Sequence, residues 1–106
     1  MSAIEFLPLG SVVSLKDIPD KMIIIGRGIN VQLDGETWFC DYSGVIYPEG
    51  LVGAEAVYFN HSNIENVIFT GYDDDTNKII CDGLNRYLEA HPETKRYKPR
   101  RPDIWN

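Results

Sequence analysis

The 106-residue chain has few of the residues that small domains use for chemistry or cross-linking. It has two cysteines and two histidines. Cys40 and Cys81 are too far apart for any zinc-ligand pairing, and neither His61 nor His91 has a partner at helical ligand spacing. These absences argue against a disulfide-stapled domain and against a metal site written locally in the chain. The simpler reading of the two thiols is as small apolar side chains. No apolar run approaches the ~20 residues of a membrane span. The longest, Met22-Ile23-Ile24-Ile25, ends at Gly26 and Arg27. The opening residues, Met1 to Phe6, do not show a basic stretch followed by a long apolar one, so no export signal is expected and the expected location is the cytoplasm. That compartment is reducing, which fits unpaired thiols. Positive charge is scarce as well: ten basic residues face sixteen acidic ones, for a net charge of −6.

Hydrophobic residues make up 43% of the chain and charged residues 25%, ordinary globular usage that argues against a disordered or fibrous chain. The length suits one core and not two. The charge is unevenly spread. Residues 1–91 hold five basic and fourteen acidic residues, whereas residues 92–106 hold five basic and two acidic. The expected organisation is a single compact domain over 1–91 and a basic, flexible tail over 92–106. An acidic body repels phosphate backbones, so nucleic acid is not the expected partner. The tail is suited to an acidic protein, a membrane surface or the chain's own body, with RNA a third possibility through its Arg and Tyr residues.

Five short strand patterns precede one helical one. Ser11 to Leu15 and Met22 to Leu33 read as strands, with Gly26 and Gly28 marking a bulge or bend in the second. Asp34-Gly35 lies between alternating runs and predicts a two-residue hairpin that places Val31 opposite Trp38 and Ile29 opposite Cys40. Glu36 to Tyr42 follows, with Gly44 breaking or bending it before Val45 to Tyr47. Ala56 to Phe59 and Val67 to Tyr72 complete the strands. Ser62 and Glu65 have capping-box spacing and predict a helical turn. Acidic Asp73, Asp74 and Asp75 open a helix over about 75–90, with Ile80, Leu84, Tyr87 and Leu88 as its apolar stripe and Ile79 and Gly83 beside it. The fold class is α+β, mainly β: a small SH3-like barrel, or a half-barrel capped by the C-terminal helix.

Three patterns invite chemistry and fail. Asp73, Asp75 and Asn77 match the first ligands of a calcium loop, but Lys78 stands where glycine is needed and Leu84 where the bidentate glutamate is needed. Gly26-Arg27-Gly28 begins like a dinucleotide fingerprint but leads into a strand, and a phosphate cradle needs a helix. Cys40 and the carboxylates Glu36, Asp41 and Glu49 have no imidazole that the sequence alone places beside them. No catalytic residue, metal or cofactor is therefore expected. Aromatic side chains crowd the β region, and some tyrosines are expected to line a partner groove. The expected contacts are Tyr42, Tyr47 and Glu49 in the strand and turn, and Tyr97, Arg100, Arg101 and Trp105 in the tail.

Five blocks, Phe6 to Val13, Met22 to Arg27, Asp41 to Gly50, Phe59 to Ile64 and Val67 to Tyr72, resemble in order and spacing a family of small bacterial domains of unknown function. Members of that family are encoded beside type VII secretion genes and LXG toxins. The resemblance implies a non-enzymatic, chaperone-like accessory protein that binds a secreted toxin, at its N-terminal export region, before export. A hydrophobic toxin segment would be covered by a groove or by strand addition at a sheet edge. The alternatives are an immunity protein that neutralises the toxic domain, its acidic body suiting a basic nuclease, and a small nucleic-acid-binding barrel or enzyme.

Overall fold

Asp34 and Gly35 close the longest hairpin of the fold, with φ of 51° and 79°. This is the left-handed backbone that a tight hairpin turn of matching twist requires. In the computed structural model, which describes residues 3–98, the turn joins β2 (Lys21–Leu33) to β3 (Glu36–Tyr47). Val31 lies opposite Trp38 and Ile29 opposite Cys40, as the alternation predicts. A bulge between Ile24 and Gly26 interrupts the ladder where the glycines anticipate one. Strand β3 runs unbroken through Gly44. A Cβ there would sit 2.9 Å from both the Ile23 carbonyl and the Phe59 ring, so glycine lets the strand pass under Phe59 rather than ending it.

Three short strands complete the sheet: β1 (Val12–Leu15), β4 (Val57–Phe59) and β5 (Ile64–Phe69). The order is β4-β3-β2-β1-β5 and every ladder is antiparallel. The sheet is open, with β4 and β5 at opposite ends, so the open arrangement is adopted rather than a closed barrel. The capping box expected at Ser62 and Glu65 does not form. A 3-10 turn spans His61–Asn63, and Asn63 Oδ1 accepts the Asn60 amide at 2.8 Å. Glu65 is instead drawn into β5, because Leu15 pairs with Ile64 and starts that strand three residues earlier than expected.

One face of the sheet carries the core. Val13, Leu15, Met22, Ile24, Tyr42 and Phe59 are fully buried, with Phe6, Ile18, Phe39 and Leu88 packed among them. Helix α1 (Asp75–Ala90) covers this face, capped by Asp74, whose carboxylate accepts the Asn77 amide at 2.9 Å. Its inward positions are Asn77, Cys81, Leu84, Asn85 and Leu88, one step round from the expected stripe. Ile79, Ile80 and Tyr87 are exposed. Polar ties set this rotation. Arg27 Nη1 donates to Asn77 Oδ1 and Cys81 Sγ, and Asn85 exchanges hydrogen bonds of 2.8 Å with the amide and carbonyl of Ile4. Leu84 sits in a notch at Gly28, where φ is 63° and a Cβ would fall 2.4 Å from Leu84 Cδ2.

Two glycine substitutions should shift stability in opposite directions in urea denaturation. A Cβ at Gly71 would lie 2.1 Å from the Leu9 carbonyl oxygen. Backbone cannot move aside as a flexible side chain would, so Gly71→Ala should cost about 2–3 kcal/mol. Gly83, inside α1, has nothing within 4 Å of the same position, and Gly83→Ala should stabilise by about 0.5–1 kcal/mol.

Candidate partner-docking surface

The two sides of the sheet are finished very differently. The outer edge of β3 is covered along its middle. β4 pairs with Tyr42, Ser43 and Gly44. Just before them, residues 95–97 run parallel to β3: the Phe39 amide donates to the Lys95 carbonyl at 2.7 Å and the Tyr97 amide donates to the Phe39 carbonyl at 2.8 Å. These residues belong to the basic stretch read from the sequence as tail, and the packed structure extends past residue 91 to include them.

Side chains reinforce that contact through a buried polar knot. Asp41 is 1% exposed. Its Oδ1 pairs with Arg96 Nη2, its Oδ2 accepts the His61 amide at 2.9 Å, and its own amide donates to Asn60 Oδ1 at 3.0 Å. Asn60 Nδ2 in turn donates to the Tyr97 carbonyl. A carboxylate taken out of water needs such partners, and here they come from two separate segments, residues 60–61 and Arg96. Arg96 also lies over the Phe39 ring, 5.4 Å from its centroid, and Tyr97 is buried edge-on to Tyr58. Lys95 pairs with Glu36 nearer the surface.

The same region holds the groups that a nucleophilic site would use, each committed elsewhere. The Tyr42 hydroxyl accepts the Leu7 amide at 2.9 Å and is hydrogen-bonded to His61 Nδ1, also at 2.9 Å. Asp41 touches the main chain of His61 and not its ring. Cys40 Sγ donates to the Phe59 carbonyl at 3.2 Å, and burial pushes its thiol up to about 12. Burial likewise raises the Tyr42 phenol to about 12. A thiol held neutral in this way is a poor nucleophile at ordinary pH. A shallow cleft of about 660 Å³ opens beside the knot, bordered by Ala3 and Ile4 from one end of the chain and by Lys98 from the other. Among the described residues no three His, Cys, Asp or Glu side chains are placed to hold a metal, and no helix is long and apolar enough to cross a membrane.

The opposite end of the sheet is bare. β5 pairs with β1 alone, and its outer edge meets nothing among the described residues. Val67, Ile68 and Phe69 are 47%, 50% and 60% exposed. The strand contains no lysine, arginine or proline, and its one charge is Glu65, away from the apolar run Val67 to Phe69. Register then extends the apolar surface inward. Phe69 pairs with Val12 and Val12 with Ile23, so three strands contribute one partly exposed cross-strand row on the face away from the core side chains Val13, Met22 and Ile24, and the row ends at Val45, which is buried opposite Ile23.

The expected contact residues are distributed unevenly over this arrangement. Tyr42 is wholly buried and Tyr97 nearly so, which corrects their reading as partner-facing side chains: each fills the core or the knot because its ring is needed there. Tyr47 and Glu49 stand exposed at the turn after β3, with Lys21 Nζ 5.9 Å from the Tyr47 ring centroid. Arg100, Arg101 and Trp105 lie outside the described residues. The residues missed by sequence reasoning are Val67, Ile68 and Phe69. Their hydrophobicity reads as core, and only their place at the end of the sheet exposes them. The one available signal was an uncharged run from Val67 to Tyr72.

A family model matches residues 6–80, from the segment under the helix through all five strands to the start of α1. The chain belongs to the family described as domain of unknown function DUF4176. The bare edge and the apolar row fall inside this DUF4176 domain, whereas residues 95–97 lie beyond the match. No curated protein and no solved structure matches the chain.

Two outcomes follow from the knot and its buried neighbours. Arg96→Ala should cost about 2–3 kcal/mol, less than a wholly buried pair because a third of the Arg96 side chain keeps its solvent. It should also release the Tyr97 amide to fast hydrogen exchange, while Lys95→Ala, which breaks an exposed pair, should cost under about 1 kcal/mol. Raising the pH should leave stability unaffected by Cys40 and Tyr42 below pH 9. It should then lower stability progressively toward pH 12, because the unfolded chain releases a thiol proton at 9.0 and a phenol proton at 10.0 that the folded chain holds to about 12. Urea midpoints measured from pH 7 to 11 check this, and a midpoint that rises above pH 9 would contradict it.

Proposed function

We infer that this protein is a non-enzymatic, chaperone-like accessory that holds a secreted LXG toxin before its export through a type VII secretion system. The observation that carries the reading is the unpaired β5 edge with its exposed Val67, Ile68 and Phe69 and adjoining apolar row: a surface of this kind is what one chain uses to hold an extended piece of another. The polar knot supports it from the other side. Asp41, His61 and Cys40 are spent on holding three segments together. The five sequence blocks supply the secretion context, and membership of a family of unknown function is compatible with it.

The test is co-purification of the full chain with the LXG toxin encoded beside it, split into an N-terminal export half and a C-terminal toxic half. Retention by the export half is the expected result. Retention by the toxic half, with loss of toxicity, would replace the reading with that of an immunity protein, whose acidic surface would steer it to a basic enzyme.

A further inference from the structure

We propose that β5 takes up an extended, apolar, net-basic segment of another protein as an added strand at the sheet edge. This rests on the reading that the chain works by holding a protein, and it names the site and the chemistry of what is held. Three observations carry it. The first is the contrast between the two edge strands: β4 is three residues long and none of its side chains is fully exposed, while β5 is six residues long and presents its outer main chain with Val67, Ile68 and Phe69 half exposed around it. The second is the row Phe69–Val12–Ile23, which ends in the most exposed of its members. An added strand would continue that row with one set of its side chains and place the alternate set beside Val67. The segment is therefore apolar at successive positions.

The third observation is charge, and it selects among occupants. Glu65 lies within β5, and Asp73, Asp74 and Asp75 follow a few residues beyond its end. The Asn77 amide and Lys78 hold Asp73 below the usual carboxylate range, so it stays ionised. A second copy paired edge to edge would bring its own Glu65 and Asp73 to Asp75 toward these acids and be repelled. The chain's own Lys95 and Arg96 are already paired with Glu36 and Asp41 at the opposite edge. A segment from another protein with lysine or arginine beside its apolar core meets the acids directly.

Hydrogen exchange by NMR on the full chain tests this, with two synthetic peptides as probes: a lysine-flanked Val-Thr-Val-Thr-Val and its glutamate-flanked counterpart. The lysine peptide should slow exchange across Ile64–Phe69 by about tenfold or more at saturation, the glutamate peptide should not, and added salt should weaken the effect. Ile68→Lys, which alters only an exposed position, and Phe69→Ser should each reduce the effect about tenfold with the core amides unchanged. Equal action of the two peptides, or no action of either, overturns the proposal. So does a sedimentation dimer with β5 already protected, which assigns the edge to a second copy, or protection lost in a chain ending at Lys98, which assigns it to the chain's own end. Toxin that binds while β5 exchange stays unchanged overturns strand uptake and leaves the accessory reading standing. The lysine peptide bound at β5 with no toxin retained does the reverse.

Discussion

Asp41 is the constraint on which the arrangement turns. It sits in β3 with almost no access to solvent, and a carboxylate in that position must be fully hydrogen-bonded or neutralised. Arg96 supplies the charge, the His61 amide supplies a donor to the second oxygen, and Asn60 binds the Asp41 amide while reaching to the Tyr97 carbonyl. One acid thus fixes the course of residues 95–97 and the turn after β4. Next to it, the Tyr42 hydroxyl links the N-terminal segment at Leu7 to the same turn at His61. The knot holds the fold together and covers the part of β3 that β4 is too short to reach, which leaves β5 as the longer and more exposed of the two edge strands.

The helix is held by a different economy. A single α-helix on a small sheet would ordinarily be fixed by an apolar stripe, yet here the inward face alternates Leu84 and Leu88 with Asn77, Cys81 and Asn85. Residues 4–7 explain the mixture. They run beneath the helix without belonging to a strand, so their amides and carbonyls need partners, and Asn85 serves Ile4 on both. Arg27 does the same for the Leu7 carbonyl while holding Asn77. Ile79, Ile80 and Tyr87 are exposed as a consequence of that rotation, although Tyr87 stacks on His91 with centroids 4.2 Å apart.

These two features mark the limit of what could be read from the residues. The hairpin at Asp34-Gly35 was legible down to its register, because turn chemistry and alternation are local and agree with each other. The start of α1 was legible for the same reason, though which of Asp73 to Thr76 caps it was not; the cap is Asp74. The face of α1 was legible in part: Leu84 and Leu88 turn inward as expected, but the choice between Ile80 and Cys81 depends on the N-terminal segment, some 75 residues away in sequence. Nor was the docking of residues 95–97: Lys95 and Arg96 in a basic run read as tail until Glu36 and Asp41 are brought opposite them. The candidate site was the least legible part. A strand of hydrophobic residues has the same pattern whether it lies in the middle of a sheet or at its end, and the strand order that separates Val67 from Val13 is a tertiary fact.

Exposure at β5 also bears on how tightly that strand is held. It carries two register shifts in six residues against β1, between Val12 and Val13 and between Ser14 and Leu15. Each shift leaves a residue of β5, first Ile68 and then Glu65, without a direct partner opposite. Only Ile64 of the strand packs against the core. A strand with this little burial opens more easily than β2 or β3, whose ladder is long and whose side chains reach the core. An added strand would supply hydrogen bonds to the outer edge and apolar contact to Phe69 together, so binding and ordering of β5 would favour one another. The fold would then keep its rigid part around Asp41 and its adaptable part at the far end of the sheet, three strands away from Asp41.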